Sequence, residues 1–163
     1  MSDLFLERDA VISDCGHYRY LLRRVWDHAK PRALICGLNP STADANKEDA
    51  SSRSFVRLTR ELGFGSYETV NMYGWRATDP KALRGVADAI GADNDRIIEG
   101  AVSRCDLVIC AWGVHGDPSR ARRLYEIVLA ARPAAYCFGR TKSGAPKHPL
   151  YIKSGTPLEV YLP

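Results

Sequence analysis

The chain has 163 residues, 45% hydrophobic and 26% charged, with a formal net charge of +4 and a pI near 8.9. A chain of this length can bury a core without covalent staples, and its composition excludes a disordered, collagen-like or solenoid protein. No apolar run approaches the ~20 residues that span a bilayer, and the longest, near Leu107–Trp112, has the length of a strand.

The predicted elements follow in chain order. Ala10–Ser13 and Tyr18–Trp26 read as an N-terminal β-hairpin around Asp14-Cys15-Gly16, with a helix over Tyr18–Trp26 as the alternative, since its apolar alternation is imperfect. Ala33–Leu38 is a short apolar run stopped by Gly-Asn-Pro, a buried strand. Ser51–Leu62 places Phe55, Leu58 and Leu62 on one helical stripe, arginines opposite and Gly63 just beyond. Tyr67–Met72 reads as a strand. Asp79-Pro80 opens a short helix, with Asp as cap and Pro in the first turn. Ala92–Arg104 is amphipathic through Ile97, Ile98, Ala101 and Val102, and Asp106–Ala111 is the most continuous apolar run, a central strand. Pro118–Ala131 is a helix with Ala121, Leu124, Ile127 and Val128 inward, and Ala134–Phe138 and Leu158–Leu162 supply the last strands. The alternation predicts a three-layer α/β/α sandwich on a mainly parallel central sheet.

Five cysteines, an odd number without zinc-finger spacing, read as reduced thiols; Cys36, Cys110 and Cys137 fall inside strands as small apolar residues. Met1–Asp9 lacks the apolar core of a secretory signal, so the expected location is the cytoplasm. Arginines cluster at Arg19, Arg23 and Arg24, at Arg53, Arg57 and Arg60, and at Arg120, Arg122 and Arg123, and read as solvated faces.

Ligands of α/β sheets bind beyond the carboxyl ends of the strands. There the sequence places Gly37-Leu38-Asn39-Pro40-Ser41, then Asn71, then Trp112-Gly113-Val114-His115, then a basic loop from Arg140 to His148. Asn39 is either a loop amide bonding its own backbone or a ligand-facing donor and acceptor. Asn71 either satisfies a neighbouring loop or reads a nucleobase edge. His148 follows a cationic loop that would lower its pKa and keep it neutral, a donor to a developing anion, with His115 as rival. Arg140, Lys142 and Lys147 suit phosphate oxygens. No P-loop, GxGxxG, GxSxG or H-x-x-x-H motif is present, and the spacing does not single out Asp44, Asp49 and Asp79 as a carboxylate cluster.

Four segments, GLNPSTAD (Gly37–Asp44), VN-x4-RATDP (Val70–Pro80), AWG-x-HG (Ala111–Gly116) and TKSG-x-P-x-HPLY (Thr141–Tyr151), together resemble the bacterial and phage family called domain of unknown function 1643. Their order is similar, more distantly, to the uracil-DNA glycosylase superfamily. It departs from that pattern at Ser41, where Gly or Tyr is usual, and at Leu150, where Ser or Ala is common. The resemblance implies a single glycosylase-like domain over residues 1–163. It makes Asn39 the holder of the attacking water and His148 the stabiliser of the departing base. Asn71 becomes the base reader, in a pocket with Gly37, Pro40, Ser41, Tyr73 and Trp112. Phe55 and Trp75 rival Tyr73 as the stacking ring, and Leu150 and Tyr151 wedge into DNA. It further implies N-glycosidic hydrolysis by a cytoplasmic monomer acting on DNA or a nucleotide, with no metal or other cofactor and no membrane contact. The alternatives are a non-catalytic nucleic-acid or nucleotide binder on the same fold, and an enzyme acting on a free nucleoside or nucleotide.

Overall fold

The computed structural model describes residues 4–163. Strands β1 (Glu7–Ile12) and β2 (Arg19–Val25) form the hairpin, with a register shift between Val11 and Ile12. Then come β3 (Arg32–Gly37), helix α1 (Ala50–Glu61), β4 (Ser66–Asn71), helix α2 (Asn94–Arg104), β5 (Leu107–Cys110), helix α3 (Pro118–Ala131), β6 (Tyr136–Cys137) and β7 (Glu159–Val160). Three short 3-10 helices, Pro80–Gly85, Gly113–His115 and Pro149–Tyr151, lie in the loops. The first has the expected Asp79 cap, which accepts from the Lys81 amide at 2.9 Å, but it is a 3-10 rather than an α-helix.

All seven strands join one sheet in the order β1-β2-β4-β3-β5-β6-β7. The inner four, β4-β3-β5-β6, run parallel, whereas β1–β2, β2–β4 and β6–β7 pair antiparallel. The expected mainly parallel sheet is thereby corrected to a mixed one, with half of its six ladders antiparallel. A parallel neighbour needs a crossover of a dozen or more residues. The link 26–31 is too short for one and sends β3 back against the sense of β2.

Side chains alternate across the sheet, and each face finds its own helices. Ala33, Ile35, Tyr67, Ile109 and Ala111 pack with Phe55 and Leu58 of α1. Leu34, Cys36, Val70, Val108, Cys110 and Cys137 pack with Ile98, Ala101, Leu124 and Val128 of α2 and α3. Each fully buried aliphatic side chain here contributes about 1.5–3 kcal/mol. Helix α1 starts at a capping box: Oδ1 of Asp49 accepts from the Ser52 amide, and Oγ of Ser52 accepts from the Asp49 amide, both at 2.8 Å. No helix among the described residues is long and apolar enough to cross a membrane.

Three arginines expected on solvated faces are buried instead: Arg19 is 4%, Arg24 0% and Arg120 7% exposed. Arg24 is bonded to Glu48 and to the carbonyls of Asp44 and Lys47, and Nη1 of Arg19 donates to the Ala43 carbonyl at 2.7 Å. Nε of Arg120 donates to the Met72 carbonyl at 2.8 Å, and its Nη2 to Asp95 at 2.5 Å. A guanidinium tolerates burial when its fork finds acceptors, and these acceptors come from segments distant in sequence.

Candidate functional site

The carboxyl ends of β3, β4 and β5, the N-terminal turn of α1 and the basic loop enclose a cavity of about 860 Å³. At the end of β3, Gly37 lies so close to Asn71 that a Cβ on it would stand 2.6 Å from Oδ1 of Asn71. Two residues on, Nδ2 of Asn39 donates to the Ala77 carbonyl at 2.7 Å and to the Pro40 carbonyl at 3.1 Å. Backbone bonding and ligand orientation coincide here: the two donated bonds set the amide so that Oδ1 is the atom left available. Ser41 lines the cavity with its Oγ 3.5 Å from Thr78 Oγ1. Pro40 is buried behind the wall, where its carbonyl also receives the Ala77 amide.

Asn71, the last residue of β4, is buried and its Nδ2 has no partner, so it satisfies no neighbouring loop. Its backbone is held from outside the cavity. Nδ2 of Asn94 donates to the carbonyls of Asn71 and Met72 at 3.0 and 3.1 Å, and Arg120 also bonds Met72. Thr69, two residues earlier on the same face, and Arg19 line the cavity too, and Thr69 Oγ1 and Arg19 Nε are likewise buried without partners. Burial pushes the Arg19 guanidinium down to about 10.

After β5, Trp112 touches the cavity wall but is a core ring, edge-on to Tyr161 at 5.4 Å. Gly113 turns there with φ +71°, and its amide donates to the Pro146 carbonyl at 2.9 Å, tying this loop to the basic one. On the basic loop, Nδ1 of His148 accepts from the Leu150 amide at 3.2 Å. The proton of the neutral ring therefore sits on Nε2. Burial lowers the His148 pKa, and Asp49 opposes the shift. The physical cause is thus desolvation and not the neighbouring lysines expected from the sequence.

Of the remaining expected site residues, Lys147, Leu150 and Tyr151 line the cavity. Tyr151 stands at its rim, 82% exposed. Arg140 does not: its Nη1 donates to the Leu162 carbonyl at 3.0 Å, beside Glu159. Lys142 is exposed outside the lining. Tyr73 also lies outside, packed on the α2/α3 core with its hydroxyl 3.4 Å from the Asp117 amide, and Trp75 stacks on His17 at 4.9 Å. Of the three candidate rings only Phe55 lines the cavity. His115 lines it as well, as does Asp49. Asp44 and Asp79 serve their own turns, and no group of three potential metal ligands forms among the described residues.

A family model matches residues 19–150, from the first residue of β2 to the His148-Pro149-Leu150 turn. The chain belongs to the family described as protein of unknown function, DUF1643. No curated protein and no solved structure matches it. The DUF1643 match spans Asn39, Asn71 and His148 together. Sequence reasoning did not pick out Arg19, Thr69, Asp49 or Asn94 as site residues. The period-two rule counted back from Asn71 marks Thr69, while Arg19 pairs with Ile12 across the hairpin's register shift, where alternation gives no guide.

Proposed function

We propose that this DUF1643 protein is a nucleobase-processing enzyme that hydrolyses an N-glycosidic bond on DNA. The observation that carries the reading is that Asn39, Asn71 and His148, from three separate segments, line one cavity together with Phe55. Its volume falls within the roughly 300–1,000 Å³ of small-molecule sites.

Cleaving an N-glycosidic bond leaves negative charge on the departing base and an oxocarbenium-like sugar that water must capture. Nε2–H of His148 is the donor aimed at that charge, and the Leu150 amide on Nδ1 selects the required tautomer. Oδ1 of Asn39 accepts a hydrogen bond from the attacking water and so holds it in place, its orientation set by the bonds to Ala77 and Pro40, while the water's proton leaves with the base or to solvent. Asn71 supplies Nδ2 to the base edge, and Phe55 supplies an apolar face. Lys147 and the exposed Leu150, Tyr151 and Val114 suit contact with the strand around an extruded nucleotide. The reading takes the helices on both faces of the sheet as a glycosylase-like sandwich, and the protein as a cytoplasmic monomer.

The test is incubation with oligonucleotides carrying uracil, hypoxanthine or modified bases, followed by alkaline cleavage of abasic sites. Scission is expected with at least one base, and its loss in N39A and H148A. Binding without abasic sites, unchanged in both variants, would replace the enzyme with a nucleic-acid binder. Turnover of free nucleosides alone would move the activity off DNA.

A further inference from the structure

The cavity floor holds more hydrogen-bond donors than the chain itself uses. Nε of Arg19, Oγ1 of Thr69 and Nδ2 of Asn71 are shut away from solvent, none has a partner, and all three residues line the same cavity. Buried polar groups are ordinarily paired, so three orphans in one wall point to an occupant. Arginine Nε and the Asn amide nitrogen only donate, and a Thr hydroxyl does either. The occupant therefore presents acceptors.

Charge narrows the choice. Arg19 joins no ion pair among the described residues; its Nη1 ends on the Ala43 carbonyl. Asp49 is the carboxylate facing it, and both oxygens of Asp49 already receive amides, from Ser52 at 2.8 Å and Ala43 at 3.3 Å. Arg24 and Arg76 add positive charge nearby, Arg24 being paired with Glu48. The first turn of α1 brings the positive end of a helix to the same cavity. Asp49 therefore compensates Arg19 only from beyond salt-bridge distance, which leaves a desolvated guanidinium with room for a second, contacting counter-ion.

We infer that the cavity floor is an anion subsite: it takes an oxygen-rich, negatively charged group, with Arg19 as counter-ion and Thr69 and Asn71 as further donors. The inference rests on the base-pocket reading and deepens it. A pyrimidine presents exocyclic carbonyl oxygens over which negative charge spreads as it departs, so Arg19 would meet from below the charge that His148 meets from the loop. A phosphate presents the same chemistry, and the test separates the two sources.

Calorimetric titration of the full chain uses barbiturate, a pyrimidine ring with three carbonyl oxygens that is ionised at neutral pH, and uracil, a pyrimidine with two carbonyl oxygens that is neutral. Barbiturate is expected to bind at least about tenfold more tightly than uracil, the scale of one charge-assisted contact. R19Q is expected to abolish the preference and R19K to retain most of it. Equal affinities for the wild type, or a preference that survives R19Q, overturn the subsite. If R19Q does not fold, T69V keeps the guanidinium and serves instead: weaker binding of both ligands supports the floor, and unchanged binding overturns it. Inorganic phosphate that competes with barbiturate supports the subsite with phosphate as its source, and phosphate without effect assigns the subsite to the ring anion. A barbiturate preference without oligonucleotide cleavage sinks catalysis and leaves the subsite; cleavage with equal affinities does the reverse.

Discussion

Gly37 and Asn71 end adjacent parallel strands in register, and the carboxamide of Asn71 occupies the space where a side chain at Gly37 would begin. The glycine is required for room and not for an unusual dihedral, since its φ is not among the positive ones. Each residue presupposes the other.

Gly37→Ala should therefore force the buried Asn71 amide to turn, at a cost of about 1–3 kcal/mol. In an Asn71→Ala background the same methyl fits the vacated space and costs much less. Urea denaturation of the four proteins measures the coupling. Equal costs in both backgrounds would refute the contact.

His148 makes a prediction about pH. Its folded pKa lies below the ordinary value of 6.5, so the folded state binds fewer protons than the unfolded chain once pH falls below that value. Stability is unaffected above it, declines as pH drops through it, and levels off below the folded pKa. Protonating Nδ1 also removes the acceptor of the Leu150 amide. His148→Gln should flatten this part of the stability profile between pH 7.5 and 5. His148→Ala, which removes the donor altogether, should cut glycosidic cleavage by about 10²-fold or more, the usual effect of deleting one anion-stabilising donor.

Asn39→Asp should be worse for stability than Asn39→Ala. A carboxylate there faces the Ala77 and Pro40 carbonyls that the amide now bonds at 2.7 and 3.1 Å, a loss of about 1–3 kcal/mol. Protonation restores a donor, so the folded pKa of the new acid is raised and the variant regains stability as pH falls. Denaturation at pH 7 and pH 5 reads the difference, and N39D as stable as N39A at pH 7 would sink the account.

Much of this site was legible because the strand ends carry it. Gly-x-Asn-Pro, Asn71 and His-Pro each follow an apolar run, and a parallel centre gathers such ends on one edge. Phe55 stood on the apolar stripe of its helix, but that stripe cannot tell core from cavity wall. The burial of Arg19, Arg24 and Arg120 left no trace in the sequence, because the carbonyls and carboxylates that receive them lie 20 to 48 residues away. Arg140, one of the three cations expected to meet phosphate, is drawn off by the C-terminal segment at Glu159 and Leu162.

Asn94→Ala should cost about 1–3 kcal/mol, since it strips the Asn71 carbonyl of its side-chain donor and leaves Met72 to Arg120. Ligand affinity should fall with it although Asn94 lies outside the cavity lining. Full affinity in a destabilised variant would show that the end of β4 keeps its place without the clamp.

Tyr151→Ala should change stability by less than about 0.5 kcal/mol, as its ring is exposed, yet weaken oligonucleotide binding several-fold. Lys147→Ala should lower the salt dependence of that binding by about one phosphate contact. Titrations across a salt series separate the two, and an unaltered slope in K147A would remove Lys147 from the interface.

Arg19 and Arg24 grip the segment from Ala43 to Lys47 by its main-chain oxygens, as Asn94 and Arg120 grip Asn71 and Met72. Anchors of this kind are indifferent to the identity of the residues they hold. Thr42, exposed and lining the cavity, can therefore be exchanged to retune what the cavity admits, while the scaffold beneath stays unchanged. Selectivity and architecture can thus evolve on separate clocks.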